Sequence, residues 1–160
     1  MNPGRVADIR VGTIEAWTIC MLCPKVLVVD DDDAIRHLVA TILKREQCYD
    51  VHTASGGIEA LSKMALTAYD VVVLDLMMPD LSGADVLEAI ALRDPLTRCV
   101  VLMSAASPLA LAESVTPNVC VTVRKPFDID ALLNAVKGCV QASHEPAAPP
   151  KHRRRVSKAA

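Results

Sequence analysis

The sequence predicts an α/β domain built on a doubly wound parallel sheet, and three observations carry that expectation. Short apolar runs of strand length, Val26 to Val29, Val71 to Leu74, Val100 to Met103 and Val121 to Val123, are separated by segments with helical periodicity. Each run breaks at its carboxyl end into chemistry-bearing residues: Asp30 and Asp31, Asp75, Ser104, and Lys125 after Arg124. Parallel strands of an open sheet aim their carboxyl ends at one crevice, where ligands bind, so these groups can converge despite their separation along the chain.

The elements follow in order. After the first run, Asp32 and Asp33 precede the pattern Ile35, Leu38, Val39, Ile42, Leu43 and are expected to cap the first helix and favour its dipole. Ile58, Leu61, Met64 and Ala65 write a second helix. The run ending on Asp75 leads into Leu76-Met77-Met78-Pro79, and Asp80, close to Ser82-Gly83, reads as a turn or cap residue. Val86, Leu87 and Ile90 give a third helix. Between the fourth and fifth strands, Pro108 and Pro117 bracket Leu109 to Thr116, a short helix of modest propensity. Ile129, Leu132, Leu133, Val136 and Val140 write the last helix, with Asp128 near its start. The Leu and Met stripes of these helices are expected to be core.

Three carboxylates brought together repel one another and call for a cation. A hard oxygen cage of this kind suits Mg²⁺, which keeps several waters and takes few protein ligands. With Ser104 and Lys125 opposite, the same site can receive a phosphoryl group.

This set of strand ends resembles the receiver domain of two-component response regulators over about residues 24 to 142. The resemblance implies a flavodoxin-like fold, with a five-stranded sheet flanked by five helices. It makes Asp75 the phosphoacceptor and Asp30 and Asp31 the acidic pair that holds Mg²⁺, with Met77 lending its backbone carbonyl to the metal. Ser104 resembles the hydroxyl that bonds the phosphoryl oxygen, and Lys125 the lysine that pairs with it. Lys125-Pro126 is a candidate cis peptide. The implied chemistry is transfer from a phosphohistidine of a sensor histidine kinase or histidine phosphotransfer protein. The chain would be a phosphoacceptor that assists its own phosphorylation and dephosphorylation rather than an enzyme. Its output would be altered binding of a downstream protein through the face formed by the helix before the fifth strand, that strand and the last helix.

The sequence departs from the receiver pattern at three places. Thr122 stands where many receivers carry a switching aromatic. Met77 and Ala106, which flank the phosphoryl position, cannot align an attacking water, so a comparatively long-lived phosphoform is expected. The paired prolines alter the surface a partner would read. A receiver-like module that binds without phosphorylation is the alternative that the missing aromatic keeps open. A haloacid dehalogenase-type phosphatase fits less well: Asp30-Asp31-Asp32 contains its spaced acid pair, but Ala34 replaces the expected Thr or Val and Asp75 would have no role.

Composition narrows the remaining classes. The 160 residues suit a single domain with short appendages, and no apolar stretch is long enough to span a bilayer. Aromatic residues make up 2% of the chain, which argues against a base-stacking platform for nucleic acid. Residues 24 to 142 hold 16 acidic and 10 basic side chains, whereas residues 143 to 160 hold one Glu against five Lys or Arg. That basic Pro- and Ala-rich tail is expected to be disordered and capable of weak, salt-sensitive anion contact. No DNA-binding domain is expected. Residues 1 to 23 read as an unfolded extension, and Met21, immediately before the first strand, is a candidate start of translation. Six cysteines include Cys20 and Cys23, but no second pair or histidine set completes a zinc site. Cys99, Cys120 and Cys139 are expected to be buried as small apolar residues, and reduced thiols fit a cytoplasmic protein.

Overall fold

A computed structural model of the chain describes residues 23 to 46, 49 to 93, 99 to 105 and 119 to 144. The elements are β1 (Lys25–Val29), α1 (Asp33–Glu46), β2 (Asp50–Ala54), α2 (Gly57–Met64), β3 (Val71–Asp75), α3 (Gly83–Arg93), β4 (Cys99–Ser104), β5 (Val119–Arg124) and α4 (Ile129–His144). The five strands form one parallel sheet in the order β2-β1-β3-β4-β5, the doubly wound fold expected. Four of the five expected helices lie among the described residues; the helix expected within Leu109 to Thr116 lies outside them. So do the amino-terminal extension before Cys23, the basic tail and Ala106. The last helix runs to His144, past the boundary expected at residue 142.

Side-chain alternation along the strands divides the core in two. Val26, Val28, Val71, Val73, Cys99, Val101, Met103 and Val123 pack against Val39, Leu43, Leu132 and Val136 from α1 and α4. Leu27, Val29, Val72, Leu74, Val100 and Leu102 point to the other face, against Ala60, Tyr69, Val86, Leu87 and Ile90. Because β1, β3 and β4 are covered on both faces, their sequences are continuous apolar runs. β2 was the strand the pattern did not mark. As an edge strand of sequence Asp-Val-His-Thr-Ala it is half polar, and His52 Nδ1 lies 2.7 Å from the hydroxyl of the buried Tyr69.

Four apolar residues expected in helical core stripes lie at the surface. Leu38, Ile58 and Ile129 are exposed, and so is Ala65, which caps the carboxyl end of α2. In α2 the inward positions are Gly57, Ala60, Leu61 and Met64, which follow the 3, 4, 7 spacing of one helix face; Ile58 is one residue, about 100°, out of that stripe. Leu38 stands in the same relation to Val39 in α1.

Of the two acids expected to cap α1, Asp32 does so, whereas Asp33 is the first residue of the helix and its carboxylate pairs with Arg36. Asp32 Oδ1 accepts from the backbone N–H of Ala34 at 2.8 Å and of Ile35 at 3.1 Å, and Asp128 Oδ1 accepts from Asp130 N–H at 2.8 Å. Asp80 is a turn residue with φ 63°. Gly56, at the start of α2, offers no side-chain cap, and Glu59 in the first turn instead reaches back to Ser55. Its Oε2 accepts from both the backbone N–H and the hydroxyl of Ser55 at 2.8 Å, while Lys63 Nζ approaches Oε1 at 2.7 Å. Lys63 first, then the Ser55 amide and hydroxyl, lower the Glu59 pKa from its ordinary 4.5 to about 2. A depressed carboxylate contributes stability that is complete above 4.5 and is lost as pH falls through about 2. The group is half exposed and screened, so Glu59→Gln is expected to cost about 0.5 kcal/mol at neutral pH, measured by urea unfolding, and nothing near pH ~2.

Cys99 and Cys139 are buried as expected. Cys120 is exposed, which overturns the expectation for that residue, because β5 is an edge strand whose outer positions are largely uncovered.

Candidate functional site

The carboxyl edge of the sheet gathers the residues singled out from the sequence. β1 ends on Asp30, β3 on Asp75, β4 on Ser104, and β5 leads through Arg124 into Lys125. Asp30 is 0% exposed, Asp75 4% and Ser104 0%, whereas Asp31 is open to solvent. A carboxylate oxygen from each of Asp30, Asp31 and Asp75 lies within 4.8 Å of the others. Lys125 Nζ donates to Asp30 Oδ2 and to Asp75 Oδ2, both at 2.7 Å, and so ties two buried acids together.

Backbone hydrogen bonds continue across the sheet just beyond the strands. Asp30 N–H donates to Ala54 O at 3.2 Å, Leu76 N–H to Met103 O at 2.9 Å, and Lys125 N–H to Ser104 O at 2.8 Å. The residues carrying the site, or their immediate neighbours, are thereby held by the adjacent strand. Lys125-Pro126 is cis, as expected. Within the loops, Asp30 Oδ1 accepts from Asp32 N–H at 2.9 Å and Asp75 Oδ1 from Met77 N–H at 3.2 Å. The Met77 side chain itself is exposed.

Burial is the largest influence on Asp30 and raises its pKa; hydrogen bonds from Lys125 and Asp32 oppose it without overcoming it. Burial alone would lower Lys125, but its bonds to Asp30 and Asp75 outweigh that and leave it raised. The ammonium is therefore held charged, yet it is one cation beside three clustered carboxylates, whose mutual repulsion further positive charge would relieve. A hard cation meets that need. The donor set is oxygen only, compact, and open on the Asp31 side to water, which fits Mg²⁺ held by Asp30, Asp31 and Asp75.

Two supporting residues gave no sequence signal of their role. Arg36, one turn into α1, donates from Nη1 to Asp30 O at 2.8 Å and fixes the end of β1 from behind. Gly83, the first residue of α3, lies against the chain leaving β3. A Cβ placed there would fall on the Asp75 carbonyl oxygen and come within 2.7 Å of Leu76 Cα. Its N–H donates to Leu76 O at 3.0 Å. A glycine after Ser82 reads as a turn residue from sequence, and only the crossing of α3 over the β3 loop shows why a side chain is excluded.

Thr122 occupies the middle of β5, in register with Leu102, and is exposed. No bulky ring stands at that position of the strand.

A doubly wound sheet with a lysine-bridged acidic pocket at its carboxyl edge defines the class: a signal receiver of the two-component type. The chain belongs to the response regulator receiver domain family, whose model matches residues 26–137. It is 32% identical over 119 residues to the transcriptional regulatory protein TrcR of Mycobacterium tuberculosis, covering 74% of this chain and 46% of that protein. The chain thus spans about half the length of that relative. It is 30% identical over 117 residues to sporulation initiation phosphotransferase F of Bacillus subtilis, covering 73% of this chain and 94% of that one. Among solved structures, response regulator TrrA of Thermotoga maritima in complex with Mg²⁺-BeF superposes with a TM-score of 0.65 at 34% identity, covering 72% of this chain and 98% of that one. Mg²⁺ binding and phosphorelay signalling accord with this family, whose domains signal rather than catalyse metabolic reactions. No helix among the described residues is long and apolar enough to cross a membrane.

Proposed function

We propose that residues 24 to 142 form a phosphoryl receiver in which Asp75 is the acceptor. The observation that carries this reading is the double contact of Lys125 Nζ, 2.7 Å from both Asp75 and Asp30 at the mouth of the sheet. A carboxylate oxygen of Asp75 attacks the phosphorus of a phosphohistidine on a sensor kinase or phosphotransfer protein. The phosphorus–oxygen bond forms as the phosphorus–nitrogen bond breaks, and the imidazole leaves with a proton. Most of the barrier in such transfers is lowered by positioning and charge neutralisation. Met77 N–H holds one Asp75 oxygen, and Lys125 neutralises charge beside the other. Mg²⁺, held by Asp30, Asp31, Asp75 and the Met77 carbonyl, would supply further positive charge to the transferring group. Ser104, at the neighbouring strand end, is assigned to bond a phosphoryl oxygen in the product. The signal is then a change in protein–protein binding, in a cytoplasmic phosphorelay.

The reading is tested by intact mass and peptide mapping after incubation with Mg²⁺ and acetyl phosphate. One added phosphoryl group on Asp75 is expected, absent in Asp75→Asn and absent without Mg²⁺. Folded protein that binds Mg²⁺ yet gains no adduct would favour a module that works independently of phosphorylation, a reading that exposed Thr122 in place of a switching ring makes specific.

A further inference from the structure

At the amino end of β4, opposite the edge that carries Asp75, three thiols meet. Cys99 pairs in register with Val71, four residues before the Asp75–Met103 pair. The sulfurs of Cys99, Cys120 and Cys139 all lie within 4.8 Å of one another, and Cys99 Sγ is placed against both of the others. The three residues come from β4, β5 and α4, so the trio joins two strands and the helix that covers them.

Their convergence depends on an irregularity in β5. Val119 packs with the core on the α2 and α3 side, whereas Val123 packs with the core on the α1 and α4 side. In a regular strand two residues four apart share a face. The register slips between Val100↔Val119 and Val101↔Val121, which leaves Cys120 as the extra residue of a bulge. Bulges re-aim a side chain, and this one brings Cys120 to the face where Cys99 and Cys139 are buried.

Backbone spacing then sets the chemistry. Cys99 Cα is 5.7 Å from Cys120 Cα and 5.6 Å from Cys139 Cα. Both separations fall in the range of about 4.4–6.8 Å that a disulfide spans without backbone movement. One sulfur forms one disulfide at a time, so Cys99 has two alternative partners rather than two simultaneous ones.

We propose that Cys99, Cys120 and Cys139 form an oxidative modification site, in which Cys99 is the shared partner of two interchangeable disulfides. Exposed Cys120 is the entry point. With a peroxide as oxidant, the Cys120 thiolate takes one oxygen as the O–O bond breaks, giving a sulfenic acid and hydroxide. The Cys99 thiolate attacks that sulfur, the S–S bond forms, and the S–O bond breaks to release hydroxide, which leaves as water. Attack of the Cys139 thiolate on Cys99 Sγ moves the bond to Cys99–Cys139 and returns Cys120 as thiolate. The first link ties β4 to β5 and the second ties β4 to α4. Oxidation would therefore act on the elements under the last helix without involving Asp75.

The test uses the full chain, reduced, then treated with hydrogen peroxide, alkylated and mapped. Trypsin alone leaves Cys99 and Cys120 in one peptide, so a glutamate-specific protease, cutting at Glu113, is added. Peptides linking Cys99 to Cys120 and Cys99 to Cys139 are expected. Cys139→Ser should leave only the first. Cys120→Ser should slow formation of the second by about tenfold or more, because the accessible thiol is gone. The same links are expected in Asp75→Asn, which separates this site from the phosphoacceptor reading. Cys99 that stays fully alkylatable after oxidation of folded wild-type protein would overturn the proposal. So would a Cys120–Cys139 link that leaves Cys99 out, or stoichiometric zinc in the isolated protein that Cys99→Ser releases.

Discussion

Lys125→Met is expected to slow phosphoryl uptake at Asp75 by about 10²–10³, followed as adduct formation against time with acetyl phosphate and Mg²⁺. Methionine keeps much of the lysine stem's volume, so the loss isolates the ammonium. Stability changes as well, because Asp30 and Asp75 would face each other inside the protein without their shared cation. Removing one partner of a buried pair costs about 3–5 kcal/mol. The sign with pH is fixed by Asp30, whose pKa burial already raises above its ordinary 3.8. A raised carboxylate destabilises as the anion and is relieved as pH falls through its folded pKa. The deficit of Lys125→Met should therefore shrink on acidification. Lys125 itself is raised, so its contribution in the wild type is complete below its ordinary 10.5 and fades above it. Chemical unfolding of both proteins across pH checks each arm; a deficit that grows as pH falls would be incompatible with the bridged pocket.

Gly83→Ala is expected to be damaging although it adds only one methyl group. The new Cβ would meet the Asp75 carbonyl oxygen and Leu76 Cα, both backbone, so no side-chain rotation relieves the clash. Either α3 lifts off or the end of β3 shifts. The first outcome costs about 1–3 kcal/mol in unfolding free energy, as overpacking does. The second misplaces Asp75, the proposed acceptor, and a displacement near 1 Å lowers transfer by about a hundredfold. Unfolding and adduct kinetics measured together tell the two apart. Gly56→Ala is the control, since a Cβ there meets nothing within 4 Å.

Much of the fold was legible because the central strands are covered on both faces and therefore read as unbroken valine and leucine runs. The same runs marked where the chain turns polar, and Asp30, Asp75, Ser104 and Lys125 stand at those ends in space. β2 was not legible, since half of an edge strand faces solvent and its pattern dissolves into His and Thr. The helical stripes were read too broadly at Leu38 and Ile58, where one residue of offset rotates a side chain out of the core. Gly83 and Arg36 were opaque for another reason: their roles arise from contacts with β3 and β1 that only the folded backbone creates. Cys120 was misjudged because β5 is an edge strand whose outer positions are left uncovered, and an apolar run does not tell an edge strand from a central one.

The hydrogen bonds from Leu76 to Met103 and from Lys125 to Ser104 make the carboxyl edge of the sheet behave like a hem. Cloth stitched along its border cannot be pulled at one point alone. If Ser104 is drawn toward a new anion, the thread runs directly into Lys125 and through it to β5, while Leu76 and Met103 share the load on the other side. With Thr122 rather than a large ring in the middle of β5, the seam is the backbone connection from that border to the last strand.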